Sequence, residues 1–181
     1  MIERTDVART DRARIDVLVL VLATIAMGAL LGVAWWSLAP RVVLDVYGDQ
    51  TYPAEFQPGG YIADDGIASL ACIVGGALTL GLAVLLARRR RTPALTLVTL
   101  GWTMLAGVLG SLVCWWVGST LGAVDLAADI AAAGDGGQVL APLTLRMPAV
   151  LLLWPLASAV VFALAAIIAW WVRPAPRPSP E

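Results

Sequence analysis

The sequence predicts an all-α membrane protein in which four transmembrane helices form an antiparallel bundle, with both termini cytoplasmic and two ordered outer loops forming a small cap. Of its 181 residues, 60% are hydrophobic and 14% are charged, whereas a soluble domain has about 25% charged residues. Charged side chains are absent from four long runs, residues 17–40, 66–87, 92–124 and 147–172. A helix of about 20 apolar residues crosses the ~30 Å hydrocarbon core of a bilayer. Because the runs are continuous rather than alternating, each predicts a spanning helix.

The four spans are predicted at about residues 17–38, 66–87, 93–116 and 148–172. The first apolar run exceeds the 7–15 residues typical of a signal peptide, so we expect it to remain as an uncleaved span. Pro155 lacks a backbone N–H and is expected to kink the fourth span. Small residues recur at spacings of three and four in every span, which allows close approach between helices. The helix-packing glycines predicted from this pattern are Gly28, Gly32, Gly76, Gly107 and Gly110.

The arginines predict the orientation. Ten of the twelve lie in the N-terminal segment 1–16, the loop 88–92 and the tail 173–181, and positive charge favours the cytoplasmic side. The loops 39–65 and 118–146 hold only Arg41 and Arg146 and are therefore expected to face outward from a bacterial plasma membrane. The tail alternates proline and is expected to be disordered. An inner anchor for anionic lipid headgroups is predicted at Arg88, Arg89, Arg90 and Arg91; a docking site for a cytoplasmic partner is the alternative.

Two side-chain patterns within the spans allow a structural and a functional interpretation. The tryptophan pairs 35–36, 115–116 and 170–171 are expected at the membrane–water boundary, where the ring is buried and its N–H is hydrated. A threonine stripe in the third span, including Thr99 and Thr103, predicts helix packing, with each hydroxyl bonded to its own helix. The alternatives are an aromatic ligand cage and a polar pathway through the bilayer.

The outer loops are expected to be ordered. Residues 42–56 alternate well enough to predict a short strand pair around Gly48 and Asp49. Asp125 and Asp129 lie one turn apart in a stretch of helical periodicity, which predicts a short surface helix closed by the turn "GDGG".

The outer loops also contain a candidate polar cluster. In "EFQPGGYIADDG", residues 55–66, three acids stand immediately before the second span. One aspartate is expected to cap that helix, since its carboxylate accepts the unpaired N–H groups and suits the positive helix end. The remaining acids are expected to pair with the two outer arginines, and a calcium site is the alternative. The cluster comprises Glu55, Asp64, Asp65, Arg41 and Arg146.

Several kinds of chemistry lack the residues that they require. The chain has no histidine, the usual general base and the commonest metal ligand. No span has a charged residue in its middle, where ion-coupled transporters place one. No nucleotide-binding, zinc-protease or serine-nucleophile motif is present, so we expect no cofactor, metal or nucleic-acid partner. Cys72 and Cys114 are expected to be small packing residues, and a disulfide between them is the alternative.

Short motifs at the span ends resemble a known family. "WWSLAP" closes the first span, a lone glutamate follows in the outer loop, and "ADDG" opens the second span. In these features the chain resembles a family of small four-span actinobacterial membrane proteins catalogued as a domain of unknown function. The resemblance implies a plasma-membrane location and the same topology, and it carries no activity. The exclusive use of arginine as the basic residue agrees with such a source.

The expected function is that of an accessory or scaffold subunit in a cell-envelope membrane complex, with a membrane-protein partner or further copies of the same chain. The first alternative is a small oligomeric channel or transporter component with a pore lined by the threonine stripe. The second is an envelope lipid-processing enzyme that uses the outer carboxylates as acid or base.

Overall fold

The computed structural model describes residues 2–48, 50–56, 59–89 and 93–172, with side chains from residue 14 onward. Across these ranges the elements, in chain order, are α1 (Ile2–Leu38), β1 (Val43–Tyr47), β2 (Gln50–Pro53), α2 (Gly60–Arg89), α3 (Leu97–Leu121), α4 (Leu126–Ala133), β3 (Gln138–Leu140) and α5 (Leu153–Trp171). A 3-10 turn, Pro148–Leu152, leads directly into α5. Four of the described helical segments are long and apolar enough to cross a membrane. The predicted tail 173–181 and the anchor residues Arg90 and Arg91 lie outside the described residues.

The described chain is mostly helical, as predicted, and it also contains a three-stranded antiparallel sheet with the strand order β2-β1-β3. The hairpin of β1 and β2 follows the predicted strand pair, with Tyr47 opposite Gln50. Gly48 has φ +59°, a left-handed conformation that glycine adopts without strain. The third strand was not predicted, because three residues are too few to show an alternating pattern. It forms by pairing with β1, with Val139 opposite Leu44.

The sheet joins the two predicted outer loops into one unit. The "GDGG" turn docks on the end of β1: Val46 N–H donates to Gly137 O and Gly136 N–H donates to Val46 O, both over 2.9 Å. The short helix α4 forms where it was predicted, with Asp125 as its N-cap. A small apolar core lies between the sheet and α4 and is formed by Val42, Leu44, Val46, Val139 and Ala141.

Helices α1 and α3 meet through small residues. A Cβ atom added to Gly28 would collide with the main-chain oxygen of Gly110, and one added to Gly32 would lie 2.6 Å from the oxygen of Cys114. Because residue numbers rise together along this contact, α1 and α3 run parallel. The contacts of α1 with α2 run in the opposite sense, since Trp35 meets Asp64 near one end and Leu20 packs with Ala83 near the other.

Trp154 fills the space where α2, α3 and α5 meet, and its side chain is fully buried. Its indole lies on three glycines; a Cβ atom added to Gly75, Gly107 or Gly110 would come within 2.5 to 2.9 Å of the ring. The indole N–H donates to Thr79 Oγ1 over 3.1 Å. The absent side chains of these glycines therefore make room for one large aromatic group, and the buried N–H is satisfied.

Several helix boundaries differ from those predicted. Helix α2 begins at Gly60 rather than at residue 66, and α3 begins at Leu97, with Thr96 as its N-cap, rather than at residue 93. Pro155 lies in the first turn of α5, and the 3-10 turn Pro148–Leu152 leads directly into that turn. The kink of the fourth span stays a prediction.

Candidate functional site at the sheet end of the helices

The acidic pair Asp64–Asp65 lies inside α2 rather than at its N-cap. Ile62 N–H and Ala63 N–H both donate to the main-chain oxygen of Gly59, over 3.2 and 3.0 Å, so the helix has already begun when the chain reaches Asp64. The predicted capping role is wrong, because the helix starts earlier than the apolar run. The two carboxylates are therefore free to act through tertiary contacts instead.

Asp64 is almost fully buried, with 6% of its surface exposed. Its Oδ1 atom is buried and has no hydrogen-bond partner in the described part of the chain. The 30-residue α2 is about 45 Å long at 1.5 Å per residue and so exceeds the ~30 Å hydrocarbon core. Asp64 precedes the charge-free run 66–87, which the sequence predicts as the spanning segment.

The surroundings of Asp64 favour its neutral form. Burial raises the pKa of Asp64 from 3.8 to about 6, and the neighbouring carboxylate of Asp65 adds to this rise, while Arg146 and Arg41 oppose it. Removing a carboxylate from water penalises its charged form, and a like charge does the same. The protonated carboxyl group of Asp64 is therefore favoured over a wider pH range than that of an aspartate in water.

Asp65 and Arg146 are joined, although not by the predicted ion pair. Arg146 donates its main-chain N–H to Asp65 Oδ1 over 3.1 Å. Its guanidinium carbon lies 3.4 Å from the centroid of the Tyr61 ring, a cation–π arrangement. Within the described ranges, neither Arg41 nor Arg146 forms an ion pair with an acid of the predicted cluster. The contact still ties the chain before α5 to the second turn of α2.

Arg41 and Glu55 belong to a separate part of the predicted cluster. Both line a cavity of about 400 Å³ together with Gly60, at the start of α2, and Gln138, at the start of β3. Glu55 is exposed and Arg41 is half-buried. The structure therefore divides the predicted cluster in two: Asp64, Asp65 and Arg146 lie around the second turn of α2, and Arg41 and Glu55 lie at the cavity.

The hydroxyl groups of the helices bond locally. Thr24 donates to Leu20 O, Thr103 to Leu100 O and Ser111 to Val108 O, each over 2.8 to 2.9 Å. All three side chains are buried. In the predicted threonine stripe of α3, Thr103 thus bonds to its own helix, whereas the hydroxyl of the half-buried Thr99 shares a hydrogen bond of 2.9 Å with that of Thr96, the N-cap residue.

The remaining predicted residues have simpler surroundings. Arg88 and Arg89 lie exposed in the last turn of α2. Cys72 and Cys114 are buried free thiols that pack in one apolar cluster. No group of three or more potential metal ligands occurs among the described residues.

Two tryptophans have roles that the sequence interpretation missed. Trp35 was expected at the membrane boundary, yet it is 1% exposed, and its indole N–H donates to the main-chain oxygen of Asp64 over 3.0 Å. Trp36, beside it, is exposed. Adjacent residues of a helix point in different directions, so a tryptophan pair could have signalled that one ring faces inward. Trp154 stood alone in an apolar run and gave no comparable signal.

Comparisons of the chain with protein-family models, curated proteins and solved structures find no match.

Proposed function

We propose that the chain is a multi-pass protein of a bacterial plasma membrane, with four spans in an antiparallel bundle and both termini in the cytoplasm. Four long apolar helices support the membrane location. The orientation is supported by the ten-to-two distribution of arginine between the two sets of loops. In this orientation the sheet and α4 form a cap on the outer face. Arg88 and Arg89 then lie at the inner face, where anionic lipid headgroups are their natural partners.

Its proposed role is that of an accessory or scaffold subunit that presents the cap to another membrane protein. One face of the sheet is covered by the small core, since Leu44 and Val46 are buried. Three exposed aromatic side chains lie away from this core: Tyr47 and Tyr52 in the hairpin and Phe56 in the chain that follows β2. We term them the hairpin surface. Phe56 is 99% exposed.

The hairpin surface is the observation that carries this proposal. The rings of Tyr47 and Tyr52 lie 6.2 Å apart, and tyrosine and phenylalanine are enriched where proteins bind one another. Exposing aromatic area to water costs free energy that burial by a partner recovers. The proposed partner is the outer part of a second membrane protein, and further copies of this chain are the alternative.

The packing of the helices weighs against a pore. Trp154 occupies the meeting point of three helices, and the buried hydroxyls of Thr103 and Ser111 bond to their own helix. Because the side chain of Thr103 is buried inside one copy, it does not line a channel between copies. For the enzyme alternative, the position of Asp64 is unfavourable, because a buried carboxyl group has little access to a substrate.

The resemblance to small four-span actinobacterial membrane proteins of unknown function stays part of the proposal and concerns only location and topology. The test uses the full-length chain, tagged and extracted from its host membrane in mild detergent. We expect a specific membrane protein to co-purify with the wild type. Replacing Tyr47, Tyr52 and Phe56 with serine should reduce its recovery at least tenfold.

A matched control replaces three exposed residues of α4, Ala127, Asp129 and Ala131, with serine. Recovery of the partner should be unchanged in this variant. Equal recovery with the hairpin and control variants would contradict docking at the hairpin surface. A consistently monomeric protein without a partner would overturn the accessory role itself.

A further inference from the structure

The cavity that contains Arg41 and Glu55 has the dimensions of a small-molecule site. Its volume is about 400 Å³, within the range of about 300–1,000 Å³ that is typical of ligand pockets. It lies between the chain that leaves α1, the end of the β1–β2 hairpin, the first residue of α2 and the start of β3. Four separate segments thus contribute to its wall.

Two opposite charges line this cavity without neutralising each other. In the part of the chain that the structure describes, the guanidinium of Arg41 and the carboxylate of Glu55 form no ion pair and no hydrogen bond. Arg41, which is half-buried, gains more from a partner than a charge in open water does. The cavity therefore offers one position for an anion and one for a cation.

The other polar groups of the wall fit the same division. Gly60, which lines the cavity, begins a helix of 30 residues, and the positive end of the helix dipole favours an anion there. Gln138 donates its side-chain amide N–H to Asp45 Oδ1 over 2.9 Å. This bond leaves its carbonyl oxygen available to accept an N–H from a ligand.

We propose that the cavity binds a zwitterionic group that carries a phosphate and a primary ammonium, as in phosphoethanolamine. The phosphate would lie at Arg41 and the start of α2, where the guanidinium supplies donors and the helix dipole favours an anion. The ammonium would lie at Glu55. Because the cavity adjoins the ends of α1 and α2, the group can come from an outer-leaflet lipid headgroup or from a free molecule. This proposal does not depend on the hairpin surface.

The test measures binding of O-phosphoethanolamine, by calorimetry, to the full-length protein in nanodiscs of phosphatidylglycerol, a lipid without an amine. We expect saturable binding that weakens at least tenfold in Arg41→Gln and in Glu55→Gln. Inorganic phosphate alone and ethanolamine alone should each bind at least tenfold more weakly than the joined molecule. The control Asp129→Asn alters an exposed acid of α4 and should bind as the wild type does.

A second arm distinguishes the two sources. Native mass spectrometry of the protein with phosphatidylethanolamine and phosphatidylcholine should show preferential retention of phosphatidylethanolamine, lost in Glu55→Gln, if the ligand is a headgroup. Binding of the free molecule without this lipid preference would assign a free zwitterion. Absence of saturable O-phosphoethanolamine binding would overturn the proposal. So would binding that is unchanged in Glu55→Gln, an exposed substitution that leaves the core intact.

Discussion

The indole N–H of Trp35 donates to the main-chain oxygen of Asp64 over 3.0 Å. This bond joins the end of α1 to the second turn of α2 at Asp64, whose buried Oδ1 atom has no hydrogen-bond partner among the described residues. The first two turns of α2 also contain Tyr61, whose ring lies against the Arg146 guanidinium, and Asp65, which accepts the Arg146 N–H. The first two turns of α2 therefore contact both the end of α1 and the chain that precedes α5.

Trp35→Phe should remove the indole donor while keeping most of the ring volume. The loss of one buried hydrogen bond is expected to lower the free energy of unfolding by about 1 kcal/mol, measured by denaturant titration in mild detergent. The matched control is Trp36→Phe, since the ring of Trp36 is exposed. Equal destabilisation by the two substitutions would contradict a specific role for the Trp35 bond.

Gly28→Ala should force α1 away from α3, because the added Cβ atom would collide with the main-chain oxygen of Gly110. Overpacking of this kind costs roughly 1–3 kcal/mol. Gly101→Ala is the control: a Cβ atom there meets nothing within 4 Å, and alanine has the higher helix propensity. We expect Gly28→Ala to lower the melting temperature and Gly101→Ala to leave it unchanged or raise it; a neutral Gly28→Ala would show that this contact is not tight.

Asp64 should make the stability of the protein depend on pH. The pKa of Asp64 rises from 3.8 to about 6 in the folded chain, chiefly through burial. The folded state therefore binds more protons than the unfolded state between these values, and the free energy of unfolding falls as the pH rises through this window.

Asp64→Asn should abolish that part of the dependence. The change in the free energy of unfolding between pH 4 and pH 7, measured by titration at each pH, should differ between wild type and variant by about 1 to 3 kcal/mol. Asp129→Asn, on the exposed face of α4, should respond as the wild type does. If Asp64→Asn responded to pH as the wild type does, Asp64 would not be the cause of this pH dependence.

Asp65→Ala should release the segment that precedes α5, because it removes the acceptor of the Arg146 N–H. We expect a loss of about 1 kcal/mol and faster hydrogen exchange at the amide of Arg146. The earlier start of α2 makes a second outcome distinguishable: a lost helix cap would instead accelerate exchange at the first turn of α2. Unchanged exchange at Arg146 would contradict the observed contact.

The sequence predicted the long helices and the hairpin because each depends on local pattern. The charge-free runs predicted the helices, and the alternating pattern of apolar and polar residues around Gly48 predicted the strand pair. The inward position of Trp35 could not be predicted in the same way, because composition places a residue along the membrane normal and not around the helix. The small residues Gly28 and Gly32 predicted a close helix contact, but they did not identify the parallel helix α3 as the partner.

The candidate site was predicted in its residues and not in its arrangement. The five charged side chains were identified because they interrupt an apolar chain, yet their grouping depends on where α2 starts and on the pairing of β3 with β1. Both depend on contacts between residues far apart in sequence. Gln138, which lines the cavity with Arg41 and Glu55, belonged to a strand too short to predict.

Docking of the cap to a second membrane protein is tested most directly by photo-crosslinking in intact cells of the host. A photoreactive phenylalanine derivative replaces Phe56, which is 99% exposed, and the same group replaces Ala127 of α4 as the control. After irradiation, we expect one discrete adduct with another membrane protein from position 56 and none from position 127. Adducts only with lipid, or no adduct from position 56, would contradict an accessory role exerted through the hairpin surface.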